Sequence, residues 1–191
     1  MIYRWLFPAL WLVFIAFWIA MARGGKAVAE RESVYSRLSH YLPLAIGVYL
    51  LAAPHVPIAV LNDRFVPLTL WPVRLGAALT VAGVAFAIWA RMWIAGNWSS
   101  DVTLKRDHEL IVDGPYAFVR HPIYTGMIFA AFASTIQIGQ AANLLGAVLF
   151  AFGFWLKARL EERLLSVELG AAYADYRRTT PMLVPFWPVA R

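Results

Sequence analysis

The stretch PIYTGMIFAAFASTIQIGQAANLLGAVLFAFGFWL, residues 122–156, runs for 35 residues without Asp, Glu, Lys or Arg. As one helix it would measure about 50 Å at 1.5 Å per residue. A bilayer offers only ~30 Å of hydrocarbon. Its middle holds Gln137, Gly139, Gln140 and Asn143, the polar and flexible residues that a tight turn uses. The run therefore reads as a helical hairpin, with helices over about 122–138 and 141–160.

Three more apolar runs precede it. Trp5–Ala22 is uncharged for 18 residues and Tyr41–Leu61 for 21, and Leu75–Ala90 continues past Arg91 to about Ala95. Each is close to the ~20 residues that a membrane-crossing helix needs. Pro54 and Pro57 should kink or end the second, because proline removes a donor and clashes with the preceding turn. The first run is long for a signal peptide, and Arg23-Gly-Gly-Lys26 is a poor cleavage site, so it reads as a retained helix. The expected fold is all-α and integral to the membrane, with five transmembrane helices. It divides into three spans over 1–95 and a C-terminal region, 96–191, with two more. Gly83/Ala87 and Ala147/Ala151 repeat small residues at a four-residue spacing that permits close helix packing.

Composition agrees with this reading. Hydrophobic residues make up 61% of the chain and charged residues 15%, against about 25% charged in soluble domains. Five spans put alternate connections on the same side. One side then carries Arg23, Lys26, Arg31, Arg37, Arg91, Lys105, Arg106, Arg120, Lys157, Arg159, Arg163, Arg177, Arg178 and Arg191. The other carries Arg4, Arg64 and Arg74. This 14-to-3 division is a strong positive-inside bias and predicts an outside N-terminus and a cytoplasmic C-terminus. It also explains the net charge of +6 without nucleic acid, for which no recognition motif is present.

The chain has no cysteine, which excludes disulfides, thiolate metal sites and thiol nucleophiles. No HExxH, GxSxG or GxGxxG occurs, so neither a metal site, a serine-hydrolase elbow nor a Rossmann cofactor loop is expected. Polar chemistry concentrates in 97–124 and after Leu156, both on the cytoplasmic side. Arg120-His121-Pro122-Ile123-Tyr124 could serve function, or could be only a helix start with an interfacial arginine and tyrosine. Asp113-Gly114-Pro115-Tyr116 signals a turn. Glu161-Glu162 stand at the expected inner end of the last helix, where Lys157, Arg159 or Arg163 could pair with them at helical spacing. The hairpin brings Glu161 to roughly 9 Å beyond the level of Tyr124, so one constellation from both segments is feasible.

The ordered set His108-Glu-Leu-Ile-Val-Asp-Gly-Pro-Tyr116, Arg120-His-Pro-Ile-Tyr124, Glu161-Glu162, Gly170, Tyr173/Tyr176 and Pro181…Pro185 resembles the C-terminal signature of the isoprenylcysteine carboxyl methyltransferase family. Related phospholipid methyltransferases share the RHPxY…EE core. The resemblance covers about residues 96–188 and specifies the superfamily better than the substrate.

The resemblance implies S-adenosylmethionine bound without a Rossmann domain. It places His108, Leu110, Val112, Gly114, Tyr116, His121, Tyr124, Glu161 and Glu162 at or near that cofactor. Glutamate suits its ammonium, and histidine or arginine its carboxylate. Leu110-Ile-Val112, as a strand-like piece, would offer adenine an apolar wall. Methyl transfer to a carboxylate needs alignment more than a base, with Arg120 and Arg177 as candidates to hold the acceptor. The expected partners are the bilayer and a lipid or lipid-modified small substrate. A short chain leans toward a bacterial inner membrane, where prenylated proteins are not expected substrates. Phospholipid amine or small-thiol transfer, an NADPH-dependent membrane reductase, and a non-catalytic membrane protein remain as alternatives.

Overall fold

The computed structural model describes residues 3–21, 34–67, 69–94 and 110–189. Among the described residues there are five α-helices: α1 (Tyr3–Met21), α2 (Val34–Ala52), α3 (Leu70–Ile94), α4 (Pro122–Ile138) and α5 (Ala141–Thr179). Short 3-10 turns lie at Ala59–Asn62 and Gly114–Ala117.

The hairpin forms where the sequence places it. Pro122 opens α4, where its missing N–H would have had no partner in any case. Gly139 closes α4 in the left-handed region, with φ 77°, and its N–H returns to the Thr135 carbonyl at 2.7 Å. Gln140 is extended, and α5 starts at the next residue. The turn is fastened from outside, because Phe65 N donates to the Gly139 carbonyl at 2.9 Å and Ala141 N to that of Asp63 at 3.0 Å.

Three boundaries differ from the sequence reading. α2 begins at Val34 and ends at Ala52, so it starts ahead of the apolar run at 41–61 and stops within it. Pro54 and Pro57 exclude the helix from the end of that run. There the Asn62 amide instead binds the backbone of Val56 and Ile58. α3 starts at Leu70, ahead of Arg74. α5 does not stop near residue 160 but continues to Thr179, with a kink at Gly170 (φ 49°). Glu161 and Glu162 therefore sit within a helix and not at its end.

Packing is dominated by two pairs, α3 with α4 and α2 with α5. Both rest on small residues. A Cβ on Gly126 would lie 2.6 Å from the Gly83 carbonyl and 2.7 Å from Ala87 N. The expected Gly83/Ala87 pair therefore lies in the α3–α4 seam. The α2–α5 seam uses Gly47 against Gly146, with the fully buried Ala147 beside it in a cluster with Leu51, Phe150 and Phe154. Several polar groups in these seams pair locally. Thr80 and Ser134 face each other at 3.3 Å. Asn143 Nδ2 donates to the carbonyls of Leu50 and Leu51, at 3.0 and 3.2 Å, near the C-terminus of α2, where helical carbonyls lack partners.

The outer surface is apolar on every helix. Leu12, Leu42, Val81, Phe129 and Val148 are all exposed, Leu12 by 64%. Such a belt would be strongly disfavoured in water, at ~25 cal/mol per Å², and is at home in lipid. Leu70–Ile94 and Ala141–Thr179 are long and apolar enough to cross a membrane, and Phe7–Met21 and Pro122–Ile138 are shorter apolar helices. The chain is an integral membrane protein.

Candidate active site

Three segments converge at the end of the bundle where α4 begins. The first is the turn before α4. Trp93, at the end of α3, donates its indole N–H to Asp113 at 2.9 Å. Gly114 has φ 55°, and a Cβ there would strike the Trp93 ring, so the turn requires glycine. Tyr116 follows and is buried. The second segment is Arg120-His121, whose backbone N–H groups donate to the carbonyls of Pro181 and Met182 at 2.9 and 3.1 Å. Thr125 Oγ1 adds a bond to the Leu183 carbonyl at 2.7 Å. The C-terminal tail is thus stitched to the start of α4. The third segment is α5 itself, which presents Lys157, Glu161 and Glu162, then Tyr173, Tyr176 and Arg177 after the kink.

The antiparallel hairpin explains how α4 and α5 meet here. Helical side chains lean toward their own N-terminus. Tyr124 leans out of the bundle end and Glu161 leans back into it, which closes the offset between their backbones. Tyr124 Oη donates to Glu161 Oε1 at 2.5 Å. His121 stacks parallel to Tyr124, with ring centres 5.5 Å apart. Its Nδ1 lies 3.4 Å from Glu161 Oε2 and its Nε2 3.4 Å from Glu162 Oε1.

The two glutamates have different surroundings. Glu162 is clasped: Arg120 Nε donates to Oε1 at 2.6 Å, and Arg177 Nε lies 3.7 Å from Oε2. The Arg120 and Glu162 side chains are each 7% exposed. Arg120 Nη1 also binds the carbonyls of Arg177 and Thr180, which ties the pair to the end of α5. Glu161 is less enclosed, with 20% of its side chain exposed. It shares the Tyr124 hydroxyl and one edge of His121.

Charge follows this geometry. Burial acts to raise the Glu162 carboxyl, but His121 and Arg120 outweigh it and bring it down to about 2. Burial also acts to raise Glu161, while His121, the Lys157 ammonium and the Tyr124 hydrogen bond hold it below the ordinary carboxylate range. Burial alone would lower the His121 imidazole, yet the two carboxylates raise it. Burial, reinforced by the glutamates, pushes the Tyr116 and Tyr173 phenols up. Tyr116, His121, Tyr124, Glu161, Glu162, Arg120 and Arg177 of the sequence reading therefore meet in one cluster. Gly114 shapes the turn beside it.

Other expectations fare differently. Val112 is 47% exposed, and Leu110-Ile-Val112 is irregular, with no strand among the described residues. His108 lies outside the described residues, with all of 95–109. Arg159 does not pair with the glutamates but lies over the Trp155 ring, 5.4 Å from its centre. No group of three or more potential metal ligands occurs among the described residues.

Tyr173, Tyr176 and Lys157 were not placed at the site from sequence. Tyr176 Oη donates to the Tyr116 carbonyl at 2.5 Å, which links the kinked end of α5 to the turn before α4. Its presence in the C-terminal motif was the available signal. Lys157 was visible as the residue four before Glu161. Beside Arg120, the tail and Trp155 enclose a pocket of about 330 Å³, lined mostly by Pro181–Val184 and Trp187–Val189.

Known proteins match this region. Residues 75–167 match the model of the isoprenylcysteine carboxyl methyltransferase (ICMT) family. The chain is 34% identical over 98 residues to protein-S-isoprenylcysteine O-methyltransferase of Schizosaccharomyces pombe, covering 48% of this chain and 40% of that one. It is 32% identical over 149 residues to methanethiol S-methyltransferase of Mycobacterium tuberculosis, covering 65% of this chain and 56% of that one. The chain thus spans about half, or less, of the curated relatives it matches. The eukaryotic intramembrane Ras methyltransferase ICMT, solved without a monobody, has a similar fold, with a TM-score of 0.52 and 22% identity over 80% of this chain and 52% of that one. The matched region contains α3 from Leu75, all of α4, and α5 through both glutamates, so the site lies largely inside the part of the chain that matches the isoprenylcysteine carboxyl methyltransferase family.

Proposed function

We propose that this protein transfers a methyl group from S-adenosylmethionine to a membrane-associated acceptor, foremost a carboxylate. The observation that carries this reading is the Glu161 carboxylate: held ionised, partly exposed, and placed between a histidine and a tyrosine at the end of an apolar bundle. Bound there, S-adenosylmethionine supplies an electrophilic methyl group on a cationic sulfur.

The residues present fit that group. Glu161 receives its ammonium through charge-assisted hydrogen bonds. Tyr124 and His121 hold Glu161 in place. Glu162, Arg120 and the tail close the site from the other side. Arg177, half exposed and adjacent to Glu162, holds the acceptor carboxylate better than Arg120, whose guanidinium is engaged by Glu162 and by backbone carbonyls. A carboxylate is already ionised at neutral pH, so the site has to align and exclude water more than move a proton.

A second reading, a small-thiol acceptor, is favoured by the match to the mycobacterial methanethiol S-methyltransferase over 65% of this chain. With either acceptor, the proposed arrangement has the N-terminus outside and the site on the cytoplasmic face of a bacterial inner membrane, a reading supported by the charge division. Lipid acceptors enter between helices.

The test is methyl transfer from labelled S-adenosylmethionine by the full chain in lipid nanodiscs. The acceptors are a farnesylated cysteine, a small alkyl thiol and phosphatidylethanolamine. Label on the farnesylcysteine carboxylate is the expected result, and label on the thiol selects the second reading. Label on none, with NADPH consumed when a membrane alkene is supplied, would overturn both.

A further inference from the structure

Lys157 sits near the inner end of the apolar part of α5. There a lysine ordinarily carries its ammonium out to the head groups along its extended stem. This one turns inward and is 8% exposed. Its Nζ lies 5.7 Å from the centre of the Tyr124 ring and 6.0 Å from that of Tyr41. Tyr41 belongs to α2 and Tyr124 to α4, so three helices meet at one ammonium. Lys157 precedes Glu161 by one helical turn, on the same face of α5. The Tyr124 ring that flanks Lys157 also carries the hydroxyl bonded to Glu161.

His121 cannot serve Glu161 alone, because it divides its two nitrogens between both carboxylates. Arg120 and Arg177 are both directed at Glu162. Lys157 adds a further cation whose charge acts on Glu161 from one turn earlier on α5. We infer that Lys157 is a positioning residue for the methyl-donor site: boxed by Tyr41 and Tyr124, it keeps the Glu161 carboxylate charged and in place to receive the ammonium of S-adenosylmethionine. The inference rests on the role proposed above for Glu161. The groups around that carboxylate are His121 and Tyr124 from the start of α4, Tyr116 from the preceding turn, and Lys157 from α5, with Tyr41 of α2 behind the lysine.

Removing the ammonium takes away one of the influences that lower the Glu161 carboxyl. The carboxylate then protonates at higher pH, and donor binding fails earlier on the acid side. Binding of S-adenosylmethionine to the full chain in detergent, measured by calorimetry between pH 5.5 and 8.5, tests this. Lys157→Met should bind more weakly than the unsubstituted protein at pH 5.5, the acid end, and within about twofold of it at pH 8. Lys157→Gln should do the same, and Lys157→Arg should restore binding to within about threefold at both. A neutral variant whose binding runs parallel to the unsubstituted protein, or is tighter at every pH, overturns the inference and leaves the donor site standing. Failure of the unsubstituted protein to bind S-adenosylmethionine at any pH overturns the donor site, and the role of Lys157 with it.

Discussion

Arg120 and Glu162 hold opposite charges 2.6 Å apart with almost no solvent. Breaking such a pair from one side leaves a buried charge and typically costs about 3–5 kcal/mol. Arg120→Met should therefore lower the thermal midpoint in detergent, toward the low end of that range because His121 and Arg177 still face Glu162. Glu161→Gln should separate binding from stability. Its fold should persist, while S-adenosylmethionine binding weakens roughly tenfold or more, as loss of a charge-assisted hydrogen bond implies. His121 adds a pH signature. Its folded value is raised, so its stabilisation is complete below about pH 6.5, the unfolded value, and is lost as pH rises through the folded value. Thermal midpoints from pH 6 to pH 9 should fall through this contribution, and His121→Gln should remove that part of the slope. Glu162 has the opposite sign: its stabilisation is present above the ordinary carboxylate value and fades only as pH falls toward about 2.

At the scale of elements, packing depends on close backbone approach. Gly126→Val would drive a side chain into the Gly83 carbonyl and Ala87. It should destabilise by about 1–3 kcal/mol or more, measurable as a lower thermal midpoint with the α3–α4 pair most affected. What the sequence disclosed at this scale was local. Pro122 and Gly139 each dictate a backbone conformation, and α4 begins and ends on them. Hydropathy alone set α2 too far along the chain, starting it at Tyr41 and not at Val34, while Pro54 and Pro57 marked its end, just after Ala52. It also ended α5 too early: past Leu160 the helix leaves the apolar layer, and charge there marks a change of surroundings and not a helix end. The motif identified most of the cluster, but not who pairs with whom. Glu162 chooses Arg120 and Arg177 over its helical neighbours, a choice set by how the tail folds back, which spacing along one helix does not encode.

At the scale of the molecule, the orientation proposed from the charge division is open to direct test. A reporter fused at the C-terminus should read cytoplasmic, and one at the N-terminus external. The reverse would contradict that orientation, and both reporters on one side would contradict five spans. A soluble methyl donor requires a site edge open to water, while an acceptor dissolved in lipid would arrive from the opposite direction. Calorimetric titration of the purified full chain with S-adenosylmethionine, its demethylated product and NADPH tests the methyl-donor site most directly. Binding of the first two, weakened by Glu161→Gln, with none for NADPH, is the expected result; tight NADPH binding without S-adenosylmethionine binding would contradict it.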